Sequence, residues 1–215
     1  MRFLVVIPTH RAELAKDTII AVEKSFTYPT QFEVLDGTPS KVHALNKALS
    51  EFLDPKKHDL YCTIDDDLIL SYRWQDQVIK AFNYIRHLGV CGIDYTGTKE
   101  GESFMHAEIL PPPRRFKDIT FTETTNVINV GGPLLVMRAT LAKRIGPYPF
   151  VNDGRRYHVD EDGWRCREAV RRKYRTGYVT NPNGILQFVS YQDTDEYLAR
   201  KAADIKQWVE NPKWK

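Results

Sequence analysis

The sequence predicts an α/β protein, a single domain built on a mostly parallel sheet flanked by helices. Short apolar runs such as Arg2-Phe3-Leu4-Val5-Val6-Ile7 and Val90-Cys91-Gly92-Ile93 read as strands buried on both faces. They alternate with helix-length amphipathic segments, which is the pattern of βαβ units. The bulk properties agree: 215 residues are enough for one well-buried domain, and 42% hydrophobic with 27% charged residues excludes a disordered chain. A net charge of +3 suits an anionic ligand without demanding nucleic acid. Cys62, Cys91 and Cys166 are odd in number and lack CxxC spacing, so neither a disulfide framework nor a structural zinc site is expected. No apolar run reaches the length of a membrane span, and a soluble, cytoplasmic protein is expected.

Each element has its own warrant. The first strand ends at Pro8, and Pro8-Thr9-His10-Arg11 forms a loop at a strand's carboxyl end, where open α/β sheets bind ligands. Leu14, Ile19, Ala21 and Val22 predict a helix from Glu13 to about Ser25. A second strand, Phe32–Leu35, is stopped by the turn-rich Asp36-Gly37-Thr38-Pro39-Ser40. Val42, Leu45, Ala48, Leu49 and Phe52 share one face of a helix over Lys41–Phe52. The stretch Asp59–Leu70 reads as one strand, followed by a helix from about Arg73 to His87. Residues 94–129 change character to loops and short strands at a sheet edge, with Pro111-Pro112-Pro113 as a rigid spacer. Gly131-Gly132 precedes a buried strand, Leu134–Met137. The paired glycines serve either a close approach of backbone to ligand or a bulge. Cys166, Ala169, Val170 and Tyr174 form the apolar stripe of a later helix, and Thr194 to Val209 reads as an amphipathic C-terminal helix.

Two stretches carry chemistry. Asp65-Asp66-Asp67 closes an apolar run with three carboxylates, poor material for a core. Hard divalent cations prefer oxygen ligands, and Mg²⁺ is usually held by one or two carboxylates plus substrate phosphates. In extended chain Asp65 and Asp67 share one side while Asp66 faces away. The bland reading is a solvated acidic turn. The second stretch, Tyr157 to Arg167, places Asp160, Glu161 and Asp162 at a helix start. There they either complement the dipole or supply a general base. Arg165, Arg167, Arg171, Arg172, Lys173 and Arg175 make that helix basic, which reads as a solvated face or as a phosphate-attracting one.

These residues in this order resemble the GT-A glycosyltransferases of the large family-two type. The match runs through Val5-Val6-Ile7-Pro8-Thr9-His10-Arg11, Asp36-Gly37, Ala44-Leu45-Asn46-Lys47-Ala48-Leu49 and Ile64-Asp65-Asp66-Asp67. It continues through Gly131-Gly132, Leu134-Leu135-Val136-Met137-Arg138, Ile145-Gly146-Pro147-Tyr148 and Asp160-Glu161-Asp162. It covers roughly residues 2 to 189. The resemblance implies a GT-A domain over 1–190, with a nucleotide-sugar-binding half (1–93), an acceptor half (94–190) and a packed C-terminal helix (191–215). Its implied donor-site residues are Pro8, Thr9, Arg11, Asp36, Lys41, Asn46, Asp65 and Asp66, with Asp36 meeting the base. Asp67 and Asp65 would hold Mn²⁺ or Mg²⁺ against the diphosphate, and Asp162 would be the general base, with Glu161 orienting the acceptor. Gly131, Gly132 and Trp164 would line the acceptor site.

The chain departs from the family twice. The common EDxDL pattern becomes Glu161-Asp162-Gly163-Trp164, so Trp164 replaces an acid. The late metal-binding histidine of many members falls near Gln187, leaving His158 as the substitute ligand.

The expected reaction is transfer of a sugar from a nucleotide-diphosphate donor, a uridine diphosphate sugar first, to an acceptor hydroxyl with inversion. The acceptor is a saccharide or small molecule, or a hydroxymethylated base in DNA gripped through the basic helix 165–175. The alternatives are a phosphohydrolase or nucleotidyltransferase using the Asp65–Asp67 site, and a non-catalytic nucleotide-sugar-binding protein.

Overall fold

Seven consecutive buried residues, Phe3–Thr9, form β1, the strand from which the sheet is built outward. A computed structural model describes residues 1–13, 15–38, 40–93, 114–121, 130, 133–149, 161–180 and 186–188. In chain order, β1 is followed by α1 (Lys16–Lys24), β2 (Thr30–Asp36) and α2 (Lys41–Lys47), whose last turn widens into a π-helical segment, Ala48–Phe52. Then come β3 (Leu60–Ile64), β4 (Leu68–Leu70), α3 (Trp74–Tyr84) and β5 (Leu88–Ile93). Beyond residue 113 the described elements are β6 (Arg114–Phe116), β7 (Ile119–Phe121), β8 (Leu134–Arg138), α4 (Ala139–Ile145), α5 (Glu161–Arg171), β9 (Arg175–Val179) and β10 (Leu186–Phe188).

Among the described residues the main sheet has eight strands in the order β2-β1-β3-β8-β5-β9-β7-β6. β1 runs parallel to β2 and β3, and β5 parallel to β9. β8 is antiparallel to both its neighbours, so β5 and β9 point the same way as β1 to β3. The sheet is therefore mostly parallel in direction, as expected, with β8 and β7 running against it. One face packs on α1 and α3 through Val22, Trp74, Val78 and Phe82. The other packs on α2, α4 and α5 through Leu45, Ala142, Tyr148, Cys166 and Ala169. Full burial on both faces is why these strands read as unbroken apolar runs. The 114–121 hairpin forms the sheet edge. The apolar stripe of Thr194–Val209, the Pro111–Pro113 spacer and the Gly131-Gly132 pair lie outside the described residues.

Three sequence expectations are corrected. Asp59–Leu70 is not one strand: β3 stops at Ile64, the chain turns through Asp66 and Asp67, and β4 joins β10 in a separate two-stranded sheet. The alternation that placed Asp65 and Asp67 on one side therefore does not apply, because these residues are not extended. Pro8 does not end β1. It pairs with Leu35 of β2, and it is tolerated because pairing with β3 has already ceased at Val6. The third helix is shorter than Arg73–His87, since Arg73 is left-handed at its start (φ 79°) and Ile85 has returned to extended backbone.

Candidate active site

β1, β2 and β3 run in one direction, so Thr9 to Arg11, Asp36 and Asp65 to Asp67 all emerge at one edge. Gly37 closes that edge. Its N–H donates to the Thr9 carbonyl at 2.8 Å, and a Cβ there would stand 3.2 Å from the Thr9 carbonyl carbon. Only a residue without a side chain brings the two loops so close.

The three aspartates have three different surroundings. Asp66 is buried and accepts from the Thr9 hydroxyl and from two nitrogens of Arg11, Nε at 3.0 Å and an Nη at 2.6 Å. This is a bidentate ion pair inside the protein, the strongest geometry available to the pair. Asp67, also buried, lies 3.6 Å from the same guanidinium. Asp65 is partly exposed; its backbone N–H donates to the Pro133 carbonyl, and its carboxylate receives Lys41 Nζ at 2.8 Å. Lys41 is the first residue of α2, so the helix delivers its ammonium to the mouth of the site. Asp36 is exposed and accepts the Thr38 N–H at 2.8 Å, and that hydrogen bond holds its carboxyl below the usual carboxylate range. Pro8 and Thr9 are buried at the end of β1, with Thr9 Oγ1 also accepting the Arg11 N–H.

Asn46 does something the sequence did not suggest. Its amide nitrogen donates to the Tyr148 carbonyl at 3.0 Å and its amide oxygen accepts the Tyr148 N–H at 2.6 Å. Both ends of the amide thus join α2 to the turn that follows α4, across 102 residues of chain. Gly146, with φ 85°, makes that turn possible. His43, on the same helix, meets the Ser40 hydroxyl at 2.9 Å.

The second carboxylate centre lies at the same edge. α5 runs down the sheet and returns through a tight turn into β9, whose first residue pairs with the first residue of β5. The helix's C-terminus therefore lies at the amino edge of these strands. Eleven helical residues and five strand residues both span about 16 Å, so Asp162 in the first turn stands at the carboxyl edge. Asp162 and Trp164 are both half-buried. β5, on which α5 packs, is two strands from β3, about 10 Å. The side chain of Glu161, together with Gly131, Gly132, His158 and Asp160, lies outside the described residues. The backbone of β10 sets Gln187 opposite Ile69, two residues past Asp67.

The basic run of α5 does not form one face. Arg171 and Arg172 are paired with Glu168, Arg175 lies in β9 with its guanidinium 5.4 Å from the Phe121 ring, and Arg165 is fully buried. Arg165 was missed as a special residue, although the signal was present: three and four residues from Asp162 and Ala169, it falls on the helix's inward face.

Carboxylate oxygens are the ligands a hard divalent cation such as Mg²⁺ or Mn²⁺ prefers; here Asp65 is partly exposed and paired with Lys41, and Asp67 is buried beside Arg11. Among the described residues no three His, Cys, Asp or Glu side chains gather as a metal cage. No helix among the described residues is long and apolar enough to cross a membrane.

No protein-family model and no curated protein sequence matches the chain. Solved structures do. The chain is similar to a mannosyltransferase of Pyrobaculum calidifontis, solved with GDP-Man and Mn²⁺, at 15% identity and TM-score 0.61, over 96% of this chain and 62% of that one. It spans less than two thirds of that enzyme's length. It is similar to the protein A197 from STIV at 17% identity and TM-score 0.54, over 84% of this chain and 82% of the other. A third likeness, at 10% identity and TM-score 0.50 over 95% and 98%, is to a 4-diphosphocytidyl-2C-methyl-D-erythritol synthase of Anaerococcus prevotii. At these identities the likeness is one of fold: the chain has the α/β architecture found in GT-A-type glycosyltransferases and in a nucleotidyltransferase.

Proposed function

We propose that the chain is a glycosyltransferase of the family-two GT-A type that moves a sugar from a nucleotide diphosphate to an acceptor hydroxyl. The observation that carries this reading is the Asp65–Asp67 turn itself. Arg11 and Thr9 anchor its middle carboxylate, Lys41 faces its outer one, and all of them sit at the carboxyl edge of three parallel strands. Lys41 and Arg11 supply positive charge for the diphosphate, and Asp65 and Asp67 supply oxygen ligands. Asp36, at the end of β2, accepts an N–H of the nucleobase. Asp65 and Asp67 would hold a divalent cation, which would supply positive charge to the nucleoside diphosphate leaving group. Across the edge, Asp162 accepts the acceptor's proton while its oxygen bonds to the anomeric carbon, and the anomeric carbon–phosphate oxygen bond breaks with inversion. The partly exposed Trp164 offers a flat surface beside Asp162 for the acceptor.

Thermal shift across uridine, guanosine and cytidine diphosphates, each with Mn²⁺, Mg²⁺ or EDTA, tests the donor site, because a ligand bound only by the native state raises the midpoint. A metal-dependent rise with one nucleotide is expected, lost in Asp67→Ala and kept in Asp162→Asn. The matching sugar nucleotide then releases the nucleoside diphosphate in wild type and not in Asp162→Asn. Absence of any nucleotide shift in folded protein sinks the reading. Release of pyrophosphate instead turns it into nucleotidyl transfer.

A further inference from the structure

Arg165 is a charged side chain that the reaction above does not use and that no described residue satisfies. It is 0% exposed, and among the described residues none of its three guanidinium nitrogens has a hydrogen-bond partner. What it has instead is aromatic: the guanidinium carbon lies 3.8 Å from the Tyr148 ring centre and 4.9 Å from that of Trp164. Near it the Tyr61 side chain is fully buried, its hydroxyl beside that of Tyr148. Burial pushes the Tyr61 phenol well above its ordinary range, and the charge of Arg165 works against the push. Aromatic faces offset only part of the cost of removing a guanidinium from water. A buried polar group left without partners is the mark of a missing ion, water or ligand, and proteins keep such destabilising groups where they serve function.

We propose that Arg165 is the anion-recognising residue of the acceptor half, donating its N–H groups to a carboxylate or phosphate carried by the acceptor. The proposal rests on the transferase reading and gives its acceptor a chemical class. The planar fork of a guanidinium matches the paired oxygens of either anion. Asp162 lies one helical turn away on the same helix, so an acceptor tethered by its anion at Arg165 would bring a neighbouring hydroxyl to the base. Trp164 is the movable cover. Its indole is partly exposed on one side and stacked over the guanidinium on the other, and its rotation opens the site. Tyr148, held by Asn46, is the fixed wall.

The test uses the whole chain, wild type and Arg165→Leu, with glucuronate and glucose 6-phosphate as anionic probes, glucose as the neutral control, and melting temperature as the readout. Two results are expected together. Arg165→Leu without ligand melts higher than wild type by about 4 °C, because an apolar side chain replaces an unpaired buried charge. In wild type one of the anions, and not glucose, raises the melting point, and Arg165→Leu loses that response. Which anion acts separates carboxylate from phosphate. The proposal is overturned if Arg165→Leu melts lower, or if both it and Arg165→Met fail to fold, since the guanidinium is then a structural prop. It is equally overturned if neither anion shifts wild type, as when buried water satisfies the group, or if the shift survives in Arg165→Leu. Nucleotide diphosphate with Mn²⁺ is run on the same wild-type samples. A protein that binds an anion through Arg165 but no nucleotide sinks the transferase reading alone. One that binds nucleotide but neither anion sinks only the present proposal.

Discussion

The Asp65–Asp67 turn and α5, at the same sheet edge, bury charge in opposite ways. Around Asp65–Asp67 every charge described faces an opposite one: Arg11 against Asp66 and Asp67, Lys41 against Asp65. On α5 the buried Arg165, among the described residues, faces the rings of Tyr148 and Trp164. The first arrangement is self-sufficient and holds two loops in register before any ligand arrives. The second is incomplete and waits for its counter-charge. Burial of an ion therefore says little by itself; its partners decide whether the ion supports the fold or drains it.

That contrast can be broken most forcefully at Asp66. Asp66→Ala removes the bidentate partner of Arg11, leaving Asp67 at 3.6 Å, and is expected to cost about 3 kcal/mol, read by chemical denaturation. A cost below about 1 kcal/mol would mean that the pair is not buried in solution. At the joint between α2 and the turn after α4, Asn46→Ala leaves the Tyr148 N–H and carbonyl without their partners. It should cost about 2–3 kcal/mol by the same measurement. At the mouth, Lys41→Met removes a partly exposed pair and should change stability by less than about 1 kcal/mol, while weakening the nucleotide-induced thermal shift. The smallest effect is at Glu168, whose carboxyl is held below its ordinary value of 4.5, first by Arg172 and then by Arg171. A depressed carboxyl stabilises the fold above its unfolded value and loses that contribution as pH falls through the folded one. Wild type and Glu168→Gln should therefore differ by about 0.5 kcal/mol at pH 7 and converge as pH falls through the depressed value of the Glu168 carboxyl.

Much of this was legible in the sequence, for a physical reason. Strands buried on both faces are written as unbroken apolar runs, so β1, β3, β5 and β8 announce themselves, as does the apolar stripe of α2. The break between β3 and β4 was not legible. Asp65-Asp66-Asp67 joins two apolar segments without Gly or Pro, and only the salt bridges from Asp66 and Asp67 to the distant Arg11 reveal a turn. Pro8 misled in the other direction, because a proline ends a strand only where its missing N–H is needed, and the extent of β3 decides that. At the site, residue types showed which groups could bind metal or accept a proton. They did not show that Asn46 spends its amide on a distant main chain, nor that Arg165 points inward. Both facts depend on contacts made long after α2 in the chain.

The Asn46 clamp has one more consequence. It reads the amide and carbonyl of residue 148 and nothing of its side chain. The joint between α2 and the turn after α4 is thus indifferent to which residue occupies that position, while the same position sets what Arg165 and Trp164 pack against. Residue 148 can be rewritten, and with it the packing around Arg165, without unfastening the main-chain clasp that ties α2 to that turn.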